Sequence, residues 1–306
     1  MVKGRSAGTV EEYFIDLRSF FRFVKSFHAY SDKDTPIDKI SIEDIDAVFL
    51  AKITLQDSYE FLNYLRNERK NGSSALARRA CSLRVFFKYI TVNKGYIKEN
   101  PLENLETPKV KKSLPKYLTL EQSIDLLKTP KGEFVMRDYC MLTLLLNCGL
   151  RRAELASLNL SDMRSDNTIR VLGKGNKERV IYLNQACIEA LDAYLPTRPV
   201  DGVAKSERDA LFYSRLNKRI SLQGIHFIMK KLLKDVDGLQ NYSTHKLRHT
   251  AATLMYRNGV DIRVLQDVLG HENLSTTQIY THVSNEQIEK AAQNNPLSNI
   301  SPIKKK

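Results

Sequence analysis

The sequence predicts a mainly α-helical protein with one small β-sheet, arranged as two domains. Apolar residues recur at helical spacing through most of the 306 residues. The period switches to strand-like alternation over 168–183, in T-I-R-V-L, G-K-G-N-K and E-R-V-I-Y-L. A basic, proline-bounded stretch, T-P-K-V-K-K-S-L-P-K-Y at 107–117, breaks the helical pattern and reads as an extended linker.

Residues 9–30 carry Tyr13, Leu17, Phe20, Phe21, Val24 and Phe27 on one stripe of an amphipathic helix, with Thr9 as N-cap and Glu12 closing a capping box. An acidic segment follows (Asp32, Asp34, Asp38, Glu43, Asp44, Asp46), expected on a solvent face. Helices are expected near 56–69 and 74–93, separated by Asn71-Gly72. From Arg66 to Lys98 nine basic residues face one acid, Glu68. A one-signed run interleaved with Ser73, Ser74 and Tyr89 suits phosphate contact, although such runs are often only solvated helix surface.

Beyond the linker, Thr119 caps a helix with Glu121 and Gln122 in its first turn. Residues 134–147 are apolar nearly all round, which marks a buried central helix, and Cys148-Gly149 ends it. L-R-R-A-E-L-A-S-L starts a new helix bearing Arg151 and Glu154. Lys174 sits at the tip of the hairpin between Gly173 and Gly175. A helix from Gln185 ends at Pro196, A-L-F-Y-S at 210–214 reads as a short strand, and 222–236 is amphipathic with Ile225, Ile228, Met229, Leu232 and Leu233 inward. Thr244 is placed to cap the next helix, and Val260 to Leu269 forms another that stops at Gly270.

A formal charge of +13 suits a polyanionic partner. Residues 1–110 carry a net +3 and the remainder +10, so both parts can meet one long polyanion. No apolar run approaches the roughly 20 residues needed to span a bilayer, and residues 1–10 do not read as a signal peptide. Cys81, Cys140, Cys148 and Cys187 lack any CxxC pair, and three of them lie in apolar patterns. Buried free thiols in a reducing cytosol, with no structural zinc, are expected.

Four of the six histidines fall between Thr244 and Val283, together with Arg248 and Tyr280. His245 and Arg248 are spaced i, i+3 and share a helix face. A phenol with pKa near 10 is a weak nucleophile at pH 7 and needs cations and a hydrogen-bonding base to attack a phosphodiester. Arginine forks hold non-bridging oxygens and stay charged as the transition state gains negative character. His249 and His282 read as packing or hydrogen-bonding neighbours, Glu154 as a salt-bridge support for Arg151, and Arg179 as either a backbone contact or a solvated side chain.

These residues resemble the tyrosine recombinases of the phage-integrase superfamily, and closely the bacterial Xer site-specific recombinases. The motifs that carry the resemblance are C-G-L-R-R-A-E-L-A-S-L, V-L-G-K-G-N-K-E-R, S-T-H-K-L-R-H-T-A-A-T and L-G-H-E-N-L-S-T-T-Q-I-Y-T-H-V, with T-P-K near the linker. The resemblance runs from about Thr9 to about residue 290. It implies a catalytic set of Arg151, Lys174, His245, Arg248, His271 and Tyr280, with Tyr280 as nucleophile. One departure concerns the start: about eight residues precede Thr9, where the family usually carries a further helix, so that helix is short or the start is trimmed.

The family mechanism implies attack by Tyr280 on a scissile phosphate, leaving a 3′-phosphotyrosyl bond and a free 5′-hydroxyl. Arg151, Arg248 and His271 hold the phosphate, Lys174 protonates the leaving oxygen, and His245 accepts the tyrosine proton or orients the phosphate. No ATP, metal or other cofactor is implied. The resemblance implies two domains forming a clamp around double-stranded DNA that carries specific recombination sites. Residues 1–107 are a helical, SAM-like core-binding domain, 108–117 a basic linker, 118–295 an α+β catalytic domain and 296–306 a flexible basic tail. Arg78, Arg79, Arg84, Lys88, Lys111 and Lys112 are the expected DNA-binding residues. A homo-tetramer on DNA, or a hetero-tetramer with a related recombinase, a cytoplasmic location and no membrane complete the expectation. Chromosome dimer resolution and mobile-element integration or excision both fit. The alternatives are a type IB-like topoisomerase and a DNA-binding protein without catalysis.

Overall fold

The computed structural model describes residues 7–32, 34–108, 116–173, 177–199 and 201–270. It consists of two compact units, Met1–Ser113 and Leu114–Lys306.

In the first unit the helices are α1 (Ala7–Phe27), α2 (Ala47–Lys52), α3 (Leu55–Asn67) and α4 (Ser73–Lys88), the last running into a π-helical turn at Tyr89–Asn93. Their apolar stripes meet around Phe20, Phe61 and Phe87, all fully buried. Phe20 meets Phe61 edge-on at 5.3 Å and Phe87 at 6.3 Å, arrangements that aromatic quadrupoles favour. Thr54 and Asp57 form the capping box of α3.

Two expectations change here. The chain is already helical at Ala7, so Thr9 lies inside α1 and does not cap it. Phe27 is 53% exposed while Phe23 is buried, because the turn of α1 that meets α3 presents Phe20, Phe23 and Val24. The acidic segment leads into the short helix α2, which its last residue, Asp46, caps. Its Asp44 is solvent-exposed, as expected of that segment, and pairs with Lys25 at 2.7 Å.

The second unit is built on α6 (Val135–Cys148), whose Cys140, Met141, Leu142, Leu144 and Leu145 are fully buried. Before it, α5 (Leu120–Leu127) starts on a capping box between Thr119 and Gln122. The short helix α7 (Arg152–Ser157) follows the turn after α6. Strands β1 (Thr168–Leu172) and β2 (Glu178–Tyr182) pair antiparallel, with Val171 opposite Arg179. Then come α8 (Gln185–Tyr194), α9 (Leu222–Lys234), α10 (Thr244–Arg257) and α11 (Ile262–Leu269). The mainly helical architecture with a two-stranded sheet is thus the one the sequence predicts.

Residues 210–214 do not form a strand of this sheet. Ala210 and Tyr213 make isolated bridges to Asn159 and Arg219, and Ala210 to Tyr213 are buried together, so burial rather than strand pairing explains their apolar run. The N-cap of α10 is Ser243, not Thr244. Thr244 turns inward at 5% exposure instead. Cys140, Cys148 and Cys187 are buried free thiols, whereas Cys81 is exposed. No helix among the described residues is long and apolar enough to cross a membrane.

Gly149 ends α6 with φ +61°, the left-handed conformation that glycine adopts without cost. A Cβ there would lie 2.7 Å from Cδ2 of Leu269. The bare backbone therefore lets the end of α11 close onto the turn that carries Arg151.

Candidate active site

Arg151 occupies the N-cap position of α7, and its capping box with Glu154 fixes both side chains. Its backbone N–H donates to Glu154 Oε2 at 2.8 Å and its Nη1 to Oε1 at 2.7 Å. Arg248 lies on the inner face of α10, only 2% exposed. It donates to the Gly149 carbonyl at 2.6 Å and to the Leu269 carbonyl at 2.5 Å. Arg151 also reaches the Leu269 carbonyl, at 3.4 Å, and donates to Gly270 O at 2.9 Å. The two arginines thus share an acceptor, which brings their guanidinium groups side by side.

A third guanidinium completes the cluster. Arg179 of β2 donates Nη1 and Nη2 to the two oxygens of Glu154 at 2.9 and 2.8 Å, and Nε to Val268 O at 3.0 Å. All three arginines therefore bond the terminal carbonyls of α11 or the residue after it. Helix C-termini expose unsatisfied carbonyls and the negative end of the dipole, so cations collect there. One carboxylate against three guanidiniums leaves a net charge of +2, which suits a phosphodiester.

Burial opposes ionisation of Glu154, but the hydrogen bonds and charge of Arg179, with those of Arg151, hold its pKa down to about 2. Because the folded pKa lies below the ordinary 4.5, this ionisation stabilises the fold above that value. The contribution, about 3 kcal/mol, is lost as pH falls from 4.5 towards 2. Thermal unfolding followed against pH is expected to show that loss for the native chain and a flatter acid limb for Glu154→Gln. Equal slopes would contradict the assignment.

His245, one turn before Arg248 on α10, is exposed at the edge of the cluster. Partial desolvation, then the charges of Arg248 and Arg151, lower its pKa below the ordinary imidazole value. Its Nε2 lies 3.1 Å from Nε2 of His249. Burial, His245 and Arg248 push His249 down to about 4. When neutral His245 donates its Nε2–H to His249, its Nδ1 stays available to accept a proton.

Of the six expected catalytic residues, Arg151, His245 and Arg248 come together here. Lys174, His271 and Tyr280 lie outside the described residues, as do Lys111 and Lys112. Among the expected DNA-binding residues, Arg78 is drawn onto the fully buried Asp16, at 2.6 and 2.9 Å. Arg79 comes within 3.8 Å of the same carboxylate. Arg84 donates to Thr107 Oγ1 at 3.1 Å, and Lys88, four residues on, is exposed on the same helix. Arg84 and Lys88 line an open groove with Lys98 and Asn100.

Arg179 is the residue of the cluster that sequence reasoning undervalued, since its side chain is neither solvated nor turned outward. Strand alternation carried the signal: Arg179 shares a face with the buried Ile181. No group of three or more potential metal ligands occurs among the described residues.

Residues 116–287 match the phage integrase family. The chain is 49% identical over 300 residues to the tyrosine recombinase XerC of Caldanaerobacter subterraneus subsp. tengcongensis, covering 97% of this chain and 84% of that relative. It is 38% identical over 235 residues to the tyrosine recombinase XerD of Halalkalibacterium halodurans, covering 76% of this chain and 78% of that protein. The crystal structure of the XerH site-specific recombinase bound to a palindromic difH substrate, a post-cleavage complex, superposes with a TM-score of 0.66. It is 23% identical and covers 92% of this chain and 80% of that one, a likeness of fold.

Proposed function

The chain belongs to the phage integrase family, as a Xer-like tyrosine recombinase that breaks and rejoins DNA at specific sites, and from that premise we propose how its residues divide the work. Arg151 and Arg248 hold the non-bridging oxygens of the scissile phosphodiester. Tyr280 attacks phosphorus: its Oη–P bond forms, the P–O5′ bond breaks, and a 3′-phosphotyrosyl link remains. His245 takes the phenol proton, Lys174 gives a proton to the leaving 5′-oxygen, and His271 adds a hydrogen bond to the phosphate. Reversal by another 5′-hydroxyl joins a new partner strand, and because the phosphodiester energy stays in the covalent link, no nucleotide is consumed.

The observation that carries this reading is the pair of guanidiniums on one carbonyl, with a buried carboxylate already satisfied by three cations. Their charge is held in place before substrate arrives, so little reorganisation is needed in the transition state. The exposed basic face of Arg84 and Lys88 supplies backbone contacts that fix the register of the duplex. Arg78 and Arg79 add to them while anchored on Asp16. A tetramer on paired DNA sites, in the cytoplasm, is the working assembly, and residues 1–107 and 118–295 are its DNA-binding and catalytic domains.

The test is to incubate the chain with fragmented genomic DNA, precipitate covalent complexes with detergent, and sequence the DNA recovered. Enrichment of one short site attached through Tyr280 is expected. An adduct at another residue, or no adduct, sinks the proposal.

The lowered pKa of His245 sets a pH dependence. Neutral His245 is the active form, so single-turnover cleavage is expected to hold at pH 7. It falls as pH drops, with a midpoint below 6.5. His245→Gln should be slower and lose that limb. A wild-type profile with no acid limb would remove His245 from the proton path.

A further inference from the structure

The hairpin that carries Lys174 is tied to the arginine cluster by one side chain. Arg179 faces Val171 across the two strands and reaches beyond the sheet to Glu154 and to Val268 O. Its side chain is 13% exposed. At the base of the tip, the Gly173 N–H donates to Lys177 O at 2.7 Å. A Cβ on Gly173 would lie 3.7 Å from Arg179 Nη1 and 3.9 Å from Glu154 Oε1. The residue directly before Lys174 therefore rests against the same carboxylate that organises Arg151 and Arg248. A Cβ on Gly270, the residue directly before His271, would also meet Arg179, at 3.1 Å.

We propose that Arg179 is a positioning residue: its two-pronged grip on Glu154 registers the hairpin base against the arginine pair, so that proton delivery to the leaving oxygen is aligned with phosphate binding. A two-stranded hairpin is marginal by itself and needs an outside anchor to hold a set position. A planar guanidinium bonded at both nitrogens fixes orientation as well as distance, which a lysine does not. The inference rests on the reading of Lys174 as the proton donor.

That dependence supplies the test. In the normal step P–O5′ breaks and the alkoxide takes a proton from Lys174. When a bridging sulfur replaces O5′, P–S breaks and a thiolate leaves. The conjugate thiol has a pKa of about 8.5, so no donor is required. Arg179→Lys, Arg179→Gln and Lys174→Ala are compared in single-turnover cleavage of a nicked duplex carrying the site recovered from trapped complexes. One duplex has oxygen and the other sulfur at the scissile position. Arg179→Lys keeps a cation against Glu154 and serves as the variant that folds. Both Arg179 variants are expected to slow the oxygen substrate by roughly 10²-fold, the scale of general-acid catalysis. They should recover most of that on sulfur.

Equal loss on both substrates shows a merely structural role and overturns the inference. Wild-type rates on both also overturn it. If Lys174→Ala itself fails to recover on sulfur, the donor assignment falls and takes the inference with it. Recovery of Lys174→Ala without recovery of Arg179→Lys removes the inference alone.

Discussion

Tyr280→Phe is expected to abolish the covalent protein–DNA complex while leaving DNA binding intact. The substitution removes one oxygen, and that oxygen is the atom that bonds phosphorus in the proposed step. Phenylalanine fills nearly the same volume, so neither packing nor charge accounts for a loss. Covalent complex formation is expected to fall by roughly 10⁴-fold or more, the scale seen when a nucleophile is deleted. DNA affinity should change by no more than about fivefold, since at most one modest hydrogen bond is lost. The two quantities are read by denaturing electrophoresis of trapped complexes and by gel shift. A persistent adduct in Tyr280→Phe places the nucleophile elsewhere.

Arg248→Ala is expected to have the second-largest effect, on both activity and stability. Arg248 is 2% exposed, bonds Gly149 O and Leu269 O, and lies 3.8 Å from Glu154 Oε2. Alanine leaves two carbonyls without this donor and removes one of three cations from a buried carboxylate. Breaking a buried ion network by removing one partner costs about 3 to 5 kcal/mol. The drop should appear as earlier thermal unfolding. Cleavage is expected to fall by about 10³-fold, because a donor aimed at developing charge is gone. Arg248→Lys separates the two effects. It keeps the charge but cannot span both carbonyls, so it should fold better than alanine yet cleave roughly 10²-fold more slowly than wild type. Wild-type cleavage by Arg248→Lys would show that charge alone, not fork geometry, is what this position supplies.

Much of this arrangement was legible in the sequence because the controlling signals are local. The all-round apolar character of 134–147 fixed a buried helix, and Gly149 marked its end in a left-handed turn. Thr119 and Gln122 sit three apart and close their own capping box. The spacing of His245 and Arg248 settled that they share a helix face. What remained hidden depends on partners distant in sequence. Nothing in the stretch around Arg78 shows that its guanidinium is held by Asp16, 62 residues earlier and buried. Arg179 reads as an ambiguous surface charge until Glu154, 25 residues earlier, takes both its terminal nitrogens. The cap of α10 fails for another reason: Ser243 and Thr244 are both competent caps, and tertiary burial of Thr244 decides between them.

The carbonyls at the end of α11 have a consequence for the protein's synthesis. Arg151 meets Leu269 O and Gly270 O across 118 and 119 residues of chain, and Arg248 meets Gly149 O across 99. Domains fold as their chain emerges, N-terminal parts first. A ribosome-bound chain that has exposed Arg151, the hairpin and α8 still has no oriented guanidinium pair, because Arg248 and the α11 carbonyls have yet to be made. If Arg151 and Arg248 hold the phosphate as proposed, the chain lacks that ordered grip through most of its own translation, and any chain cut short before Leu269 never acquires it.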